Sequence, residues 1–168
     1  MHNISTTEEK QTLKRTRERV SKKKNTTREI SSRFGILQVD TKSVINFEHG
    51  LLGIPDAVSF YLTDFPNKDT DQFKILQCSQ DESLSFIVVP SQYDNQLIEP
   101  EDLDEACKIL GINKDFMLIL FIVTVHVNGT QRRLSVNAKA PVLIDTQTKT
   151  ATQYVLQSPI YNIKHMIS

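Results

Sequence analysis

Apolar positions along this chain cluster in short runs, and the longest run indicates a strand. The segment Phe116–Val125 is apolar except for Thr124, which is typical of a strand buried on both faces. Asn128-Gly129 follows, and this dipeptide favours the positive φ angles of a tight turn. The pattern therefore predicts the first strand of a β-hairpin.

Residues 133–140 alternate strictly between apolar and polar side chains, which predicts a half-buried strand. The apolar members are Leu134, Val136, Ala138 and Ala140, and the polar members are Arg133, Ser135, Asn137 and Lys139. Pro141 interrupts the pattern. The register that we expect buries Phe121, Val123 and Val125 together with Leu134, Val136 and Ala138.

Seven further segments have the composition of short strands and are separated by polar turns. They are Phe34–Val39, Lys42–Phe47, Val58–Leu62, Phe73–Leu76, Leu84–Val89, Val142–Ile144 and Thr150–Leu156. Together with the two strands above they make about nine. This number and spacing predict a mainly β fold, a small antiparallel β-barrel-like domain.

One short helix is well marked, and it begins at Pro100 with carboxylates in its first turn. The apolar side chains Leu103, Ala106, Cys107 and Leu110 share one face. Gly111 suits the position just beyond the helix end. We expect this helix to serve as a plug or flap of the barrel.

Charge divides the chain into two parts, although its net charge is zero. Residues 1–33 hold ten Lys/Arg and four Asp/Glu, a net charge of +6, and residues 34–168 hold ten and sixteen, a net charge of −6. Few large apolar side chains occur before residue 33. We therefore expect residues 1–32 to be a basic, disordered extension and residues 33–168 to form a single domain.

The run Lys14–Lys24, KRTRERVSKKK, has no aromatic side chain for base stacking. It is either a solvated tail without a dedicated ligand or an electrostatic attachment to an acidic partner, nucleic acid included.

The chain carries few signs of reactive chemistry. Its four histidines are scattered without metal-ligand spacing, and no catalytic motif is present. Cys78 and Cys107 fit no metal spacing and indicate reduced, buried thiols. We expect no enzyme activity, cofactor, metal or small-molecule substrate.

No apolar run approaches the roughly 20 residues of a membrane helix, and no apolar region follows the basic N-terminus as in a secretory signal. We therefore expect a cytoplasmic protein that does not associate with membranes.

The segment EHGLLGIP, residues 48–55, has two glycines that bracket two leucines. Its spacing does not fit a phosphate-binding loop. The leucines are either core residues or an exposed apolar patch that binds a partner.

Four pieces in order resemble the flagellar assembly factor FliW family over about residues 33–160. They are NFEHGLLGIP (46–55), FKILQ with FIVVP (73–77 and 86–90), the acidic helix ending in ILGI (109–112), and FIVTV with LSVNAKAPVLID (121–125 and 134–145). Three features depart from the family: Ser135 replaces a usual Thr, Asp145 replaces Asn, and TQTKTAT stands where a glycine-containing turn is expected.

The resemblance implies a cytoplasmic, non-enzymatic protein that binds flagellin and the translational repressor CsrA. FliW takes CsrA off the flagellin message, and flagellin in turn sequesters FliW. Candidate partner-binding residues are Phe47, Gly50, Leu51, Gly53, Ile54, Glu101, Asp102, Glu105 and Asn137. The alternative is a nucleic-acid-binding barrel that uses Lys14–Lys24, with an enzyme on a small barrel as a third hypothesis.

Overall fold

The computed structural model describes residues 26–66, 71–92 and 96–167. Within these ranges it contains eleven strands, one α-helix and one short 3-10 turn, Lys114–Phe116. The strands are β1 (Thr27–Ser32), β2 (Gly35–Asp40), β3 (Val44–Phe47), β4 (Ser59–Thr63), β5 (Lys74–Cys78), β6 (Ser85–Ser91), β7 (Met117–Asn128), β8 (Gln131–Val136), β9 (Val142–Asp145), β10 (Thr150–Gln153) and β11 (His165–Met166). The helix α1 spans Pro100–Leu110.

Seven of these strands close into a barrel in the order β7-β6-β5-β4-β3-β10-β9, and β9 pairs with β7 again. The mainly β, barrel-like prediction is confirmed. The ring is not wholly antiparallel, because β3 and β10 pair in parallel, with Thr150 opposite Asn46. A closed ring leaves no free sheet edge along these paired segments.

One edge of β7 is shared by two partners. Met117–Leu120 pair with β9, and Val123–Asn128 pair with β8, which leaves the barrel as a hairpin. The turn that the Asn-Gly pattern predicted is present, and Gly129 occupies it with φ 60°. Asn128, also expected to take a positive φ, is instead the last residue of β7. Two residues, Gly129 and Thr130, connect the strands, which suits a type II′ turn.

The barrel interior is filled by side chains from all seven ring strands. Its buried members are Ile45, Phe47, Leu51, Ala57, Phe60, Leu76, Cys78, Val88, Leu120, Val142, Ile144 and Ala151. The rings of Phe47 and Phe60 meet edge-on with centroids 5.0 Å apart, a favourable aromatic geometry. This packed interior stabilises the barrel.

Helix α1 packs outside the barrel, so the expected plug is wrong. Leu103, Ala106 and Cys107 lie against the outward-facing side chains of β7, Ile119 and Phe121. The predicted helix end is confirmed, because Gly111 takes φ 68° and its N–H donates to the Cys107 carbonyl. The carboxylates of the first turn face the positive end of the helix dipole.

The hairpin of β1 and β2 covers a different part of the barrel. Leu37 and Val39 pack against Tyr61 and Ile75 of β4 and β5. Residues 27–32 were predicted to belong to the disordered extension, but they form β1 and pair with β2 along its whole length. Residues 1–25, the rest of that extension, lie outside the described residues.

The predicted register of β7 and β8 is confirmed in its buried half and wrong at its end. Phe121, Val136 and Ala138 are buried, and Val123 and Leu134 are half-buried. Val125, predicted to be buried, is 42% exposed because the β7–β8 hairpin projects beyond the barrel. Ser135, predicted to face solvent, is buried.

Candidate protein-binding surfaces

The loop between β3 and β4 contains a tight turn that separates its two leucines. Leu51 and Ile54 pair through two backbone hydrogen bonds of 3.2 and 2.8 Å. Gly53 supplies the positive φ of 82° that this turn needs. As a result Leu51 is 3% exposed and Leu52 is 56% exposed.

Gly50 is required at its position for two reasons. Its φ is 66°, a conformation that side chains with a Cβ rarely adopt. A Cβ there would also lie 2.5 Å from the Pro55 carbonyl oxygen and 2.6 Å from that of Ile54. The absent side chain allows residues 50–55 to close on themselves and present Leu52.

Gln153 of β10 fixes this loop to the end of the β8–β9 connection. Its side-chain oxygen accepts a hydrogen bond from the Leu52 N–H at 3.0 Å, and its amide donates to the Ala140 carbonyl at 3.2 Å. Loop and strand together line a shallow cavity of about 410 Å³, formed by His49, Gly50, Leu51, Leu52, Gly53, Pro55, Ala151, Thr152 and Gln153. We call this the Leu52 surface.

Asn137 lies where β8 leaves β7. Its side-chain oxygen accepts from the Ala140 N–H at 2.9 Å, and its own N–H donates to the Ile122 carbonyl at 3.0 Å. Asn137 is half-buried. These bonds give it a structural function in the turn that carries the chain from β8 to β9.

Two predicted contact residues on this side are corrected by their burial. Phe47 and Leu51 are 1% and 3% exposed and belong to the barrel core, so neither side chain is available at the surface. Ile54 is half-buried against the same core. The apolar side chain that this loop exposes is Leu52 instead.

Helix α1 carries the acidic residues that the sequence identified. Glu101 and Glu105 are exposed, whereas Asp102 is half-buried. Asp104 forms an ion pair with Lys114 at 3.5 Å. Glu101 and Glu105 therefore define the outward acidic face, which we call the α1 acidic surface.

Asp102 is held by the body of the protein. The Tyr161 hydroxyl donates to Asp102 and accepts from the Glu99 N–H at 3.1 Å. Burial, and then the hydrogen bond to Asp102, raise the pKa of Tyr161 to about 12. The bond fixes the C-terminal segment against the start of α1.

The β7–β8 hairpin forms a third exposed region. Val125 and Val127 are exposed on it, and a His126 ring nitrogen lies 2.7 Å from the buried Ser135 hydroxyl. This bond satisfies Ser135, which explains how a polar residue is accommodated there.

The described residues contain no group of three or more His, Cys, Asp or Glu side chains placed to hold a metal ion. Both described cysteines are free and buried, and burial raises the pKa of Cys107, which disfavours the reactive thiolate. Within the described ranges no helix has the length and hydrophobicity to cross a bilayer.

Sequence reasoning missed Gln153 and Tyr161. Gln153 bonds to Leu52, 101 positions away, and Tyr161 bonds to Asp102, 59 positions away. A local pattern contains no information about pairs so distant in sequence. No local signal marked either residue, since Gln153 stands between Thr152 and Tyr154, and Tyr161 stands between Ile160 and Asn162.

Comparison with known proteins identifies one family. Residues 28–167 match the model of the FliW protein family. The flagellar assembly factor FliW of Clostridium botulinum (strain Alaska E43 / Type E3) is 27% identical, covering 82% of this chain and 96% of that protein. The flagellar assembly factor FliW of Thermoanaerobacter pseudethanolicus is 30% identical, covering 80% of this chain and 88% of that protein. A crystal structure of a flagellar assembly factor FliW superposes with a TM-score of 0.65 at 21% identity, over 84% of this chain and 97% of that one, and shows the shared fold.

Proposed function

Because the chain belongs to the FliW family of flagellar assembly factors, we propose that it binds flagellin in the cytoplasm and antagonises the translational repressor CsrA. In this proposal flagellin and CsrA exchange on one scaffold, and secretion of flagellin frees the protein to act on CsrA. The family match over residues 28–167 carries the proposal. A partner switch requires differential affinities and no catalytic group.

The α1 acidic surface suits a basic partner such as an RNA-binding protein. Glu101 and Glu105 are exposed on the outer side of α1, and residues 26–168 hold seventeen Asp/Glu against twelve Lys/Arg, a net charge of −5. Complementary charge accelerates encounter and selects the partner. We assign CsrA to this surface.

The Leu52 surface suits an apolar contact with flagellin. Leu52 is exposed beside Pro55 and above the cavity that Gln153 helps to line. The turn is fixed by Gly50, Gly53 and the Gln153 bond, so little conformational entropy is lost when a partner covers it. Apolar burial of this kind is insensitive to salt compared with exposed charge pairs.

The two assignments are tested by calorimetric titration of flagellin and CsrA against matched surface variants. Glu101→Lys with Glu105→Lys should weaken CsrA binding, more strongly at low salt, and spare flagellin. Leu52→Ser should weaken flagellin binding about tenfold or more, as expected for the loss of one well-placed apolar contact, and spare CsrA. Asp102 is left unchanged because its substitution would also break the Tyr161 bond.

Val127→Ser is the control for the apolar variant, since Val127 is 67% exposed on the β7–β8 hairpin. It should leave both titrations unchanged. Equal salt dependence for the two partners, or loss of both partners in either variant, would contradict the division of surfaces. Absence of binding to both partners by the unmodified chain would refute the proposed function itself.

A further inference from the structure

The β7–β8 hairpin has one edge without a partner strand. β7 pairs with β6 as far as Ile122 and with β8 from Val123 to Asn128. Within the described residues no strand pairs with the other edge of Val123–Asn128. We call this side of β7 the hairpin edge. An unpaired edge that carries exposed apolar side chains favours pairing with another extended chain.

The main-chain groups of Val125 and Val127 face the hairpin edge. The Asn137 N–H donates to the Ile122 carbonyl at 3.0 Å, so Ile122 and every second residue after it direct their main-chain groups toward β8. The N–H and C=O groups of Val125 and Val127 consequently point away from β8. They present donors and acceptors at the spacing of a β-ladder.

Arg33 shows that β6 does not supply the missing partner. The register of β6 and β7 would place Ser85 opposite Val125. The Ser85 carbonyl instead accepts a hydrogen bond from the Arg33 guanidinium at 2.6 Å, and the preceding carbonyl, that of Leu84, bonds to the Cys78 N–H of β5. The Ser85 carbonyl is therefore not the acceptor for the Val125 N–H.

The two faces of the hairpin carry different side chains. Val125 and Val127 are 42% and 67% exposed, on the same face as Val123, which packs against the cluster that includes α1. The other face carries His126, with Arg133 opposite it on β8. A strand added at the hairpin edge would place alternate side chains on these two faces. Alternating apolar and polar residues would therefore match the hairpin.

The charge of the hairpin favours acidic residues at the polar positions of such a strand. Residues 116–144 contain three Lys/Arg and no Asp/Glu. Arg132 and Arg133 are exposed, and neither forms an ion pair with a described residue. Two strand spacings, about 10 Å, separate β8 from an added strand, a distance that the side chains of arginine and glutamate can together span.

The carboxylates of the neighbouring β5–β6 turn do not reverse this charge. Asp81 and Glu82 are exposed there. The Asp81 carboxylate accepts from the Ser83 N–H at 2.8 Å and from the Ser83 hydroxyl at 2.6 Å, so it is held within its own turn. Arg33, also exposed, adds a third arginine at the start of β6.

We propose that the hairpin edge binds an extended segment of a partner protein, in which apolar and acidic residues alternate, as an added β-strand. Main-chain hydrogen bonds to Val125 and Val127 supply affinity, and the alternating side chains supply specificity. A second copy of this chain is a poorer occupant, because pairing two hairpin edges would bring Arg132 and Arg133 of both copies together. The hairpin edge shares no residue with the Leu52 surface or the α1 acidic surface, so the proposal does not rest on the proposed function.

The test titrates a labelled peptide, EVEVEVEV, against the full-length chain by fluorescence anisotropy. EEVVEEVV has the same composition without the alternation and should bind about tenfold more weakly or worse. Two further peptides carry N-methyl groups on all valines or on all glutamates. Edge pairing uses one side of the peptide main chain, so one of these two should bind and the other should not.

Val127→Pro tests the hairpin edge itself. Proline removes an N–H that faces the edge and leaves the bonds to β8 in place, so peptide binding should weaken about tenfold or more. Val127→Thr, which keeps the N–H and the β-branched shape, is the control and should retain most of the binding.

Arg132→Gln with Arg133→Gln should weaken binding several-fold and reduce its dependence on salt. Arg28→Gln with Lys42→Gln, two exposed cations on β1 and in the β2–β3 turn, is the charge-matched control and should change neither.

Amide hydrogen exchange of the unmodified chain locates the bound peptide. EVEVEVEV should slow exchange at the N–H groups of Val125 and Val127, whereas those of Thr124 and His126 should be protected by β8 before peptide is added. Absence of binding, equal binding of EVEVEVEV and EEVVEEVV, or unchanged exchange at both valines would overturn the proposal. Self-association of the chain without peptide, lost in Val127→Pro, would identify a second copy as the occupant and would also overturn it.

Discussion

Gly50 and Gly53 provide a matched pair for testing how the Leu52 surface is built. Both have positive φ, 66° and 82°, so alanine at either position is strained. A Cβ at Gly53 would meet nothing within 4 Å, whereas at Gly50 it would lie 2.5 Å from the Pro55 carbonyl oxygen. The perturbation is Gly→Ala at each position in turn.

The expected costs follow from these two differences. The left-handed conformation costs a residue with a Cβ about 1–2 kcal/mol, and alanine recovers about 0.4–1 kcal/mol by restricting the unfolded chain. Gly53→Ala should therefore lower the free energy of unfolding by about 0.5–1.5 kcal/mol. For Gly50→Ala, displacement of backbone adds about 1–3 kcal/mol, for a total of about 2–4 kcal/mol.

Urea denaturation followed by circular dichroism, with thermal melts in parallel, measures both variants. At about 2–4 °C per kcal/mol for a domain of this size, the Gly50 variant should melt several degrees below the Gly53 variant. Equal losses in the two variants would refute the close-approach argument and leave the φ penalty as the sole reason for the glycines.

Three further predictions concern the core, the N-terminus and Tyr161. Val136→Asp should lower the free energy of unfolding by several kcal/mol, because it places an unpaired charge in the core. Val125 lies on β7 opposite Leu134 of β8 and is 42% exposed, so Val125→Asp should cost about 1 kcal/mol or less. Similar denaturation midpoints for the two variants would contradict the register. Deleting residues 1–25 should leave Tm unchanged, whereas deleting residues 1–32 also removes β1 and should lower the free energy of unfolding by at least about 2 kcal/mol, or Tm by roughly 4–8 °C. Scanning calorimetry measures both deletions. Equal Tm values would contradict a contribution of β1 to stability. The raised pKa of Tyr161 means that folding favours its neutral form, so its contribution to stability is complete below pH 10.0, its ordinary pKa, and is lost as pH rises to about 12. Denaturant titrations across that pH range should show a smaller loss of stability in Tyr161→Phe than in the parent.

The pattern of residues in the sequence was enough to predict a structural feature where that feature depends on residues close in sequence. Helix α1 could be predicted from its acidic first turn and from Gly111, and the β7–β8 hairpin from Asn128-Gly129. The strand β1 was missed because TREISS offers one large apolar side chain, Ile30. Its stability comes from pairing with β2 and from contacts with β4 and β5, which no property of six residues reveals.

The candidate site shows the same division between local and distant causes. The glycines at positions 50 and 53 could be identified in the sequence, but the choice of which leucine faces the core could not be predicted. That choice depends on the pairing of Leu51 with Ile54 and on Gln153 holding the Leu52 N–H. The barrel closes through the parallel pairing of β3 with β10, which joins residues about a hundred positions apart, and amino-acid composition does not reveal this pairing.

The closed barrel also constrains how the proposed exchange of partners can operate. The Leu52 N–H, Gln153, Ala140 and Asn137 form a continuous series of hydrogen bonds that ends at the Ile122 carbonyl of β7. Every ring strand is paired on both sides, so rearranging this series would break hydrogen bonds and core packing together. Packed elements of this kind do not deform continuously. In the proposed function, exchange of flagellin and CsrA on such a scaffold therefore depends on occupancy, through steric clash or repulsion between the two bound partners. Titrating one partner into the protein already saturated with the other should show reduced affinity for the second partner without a change in the barrel.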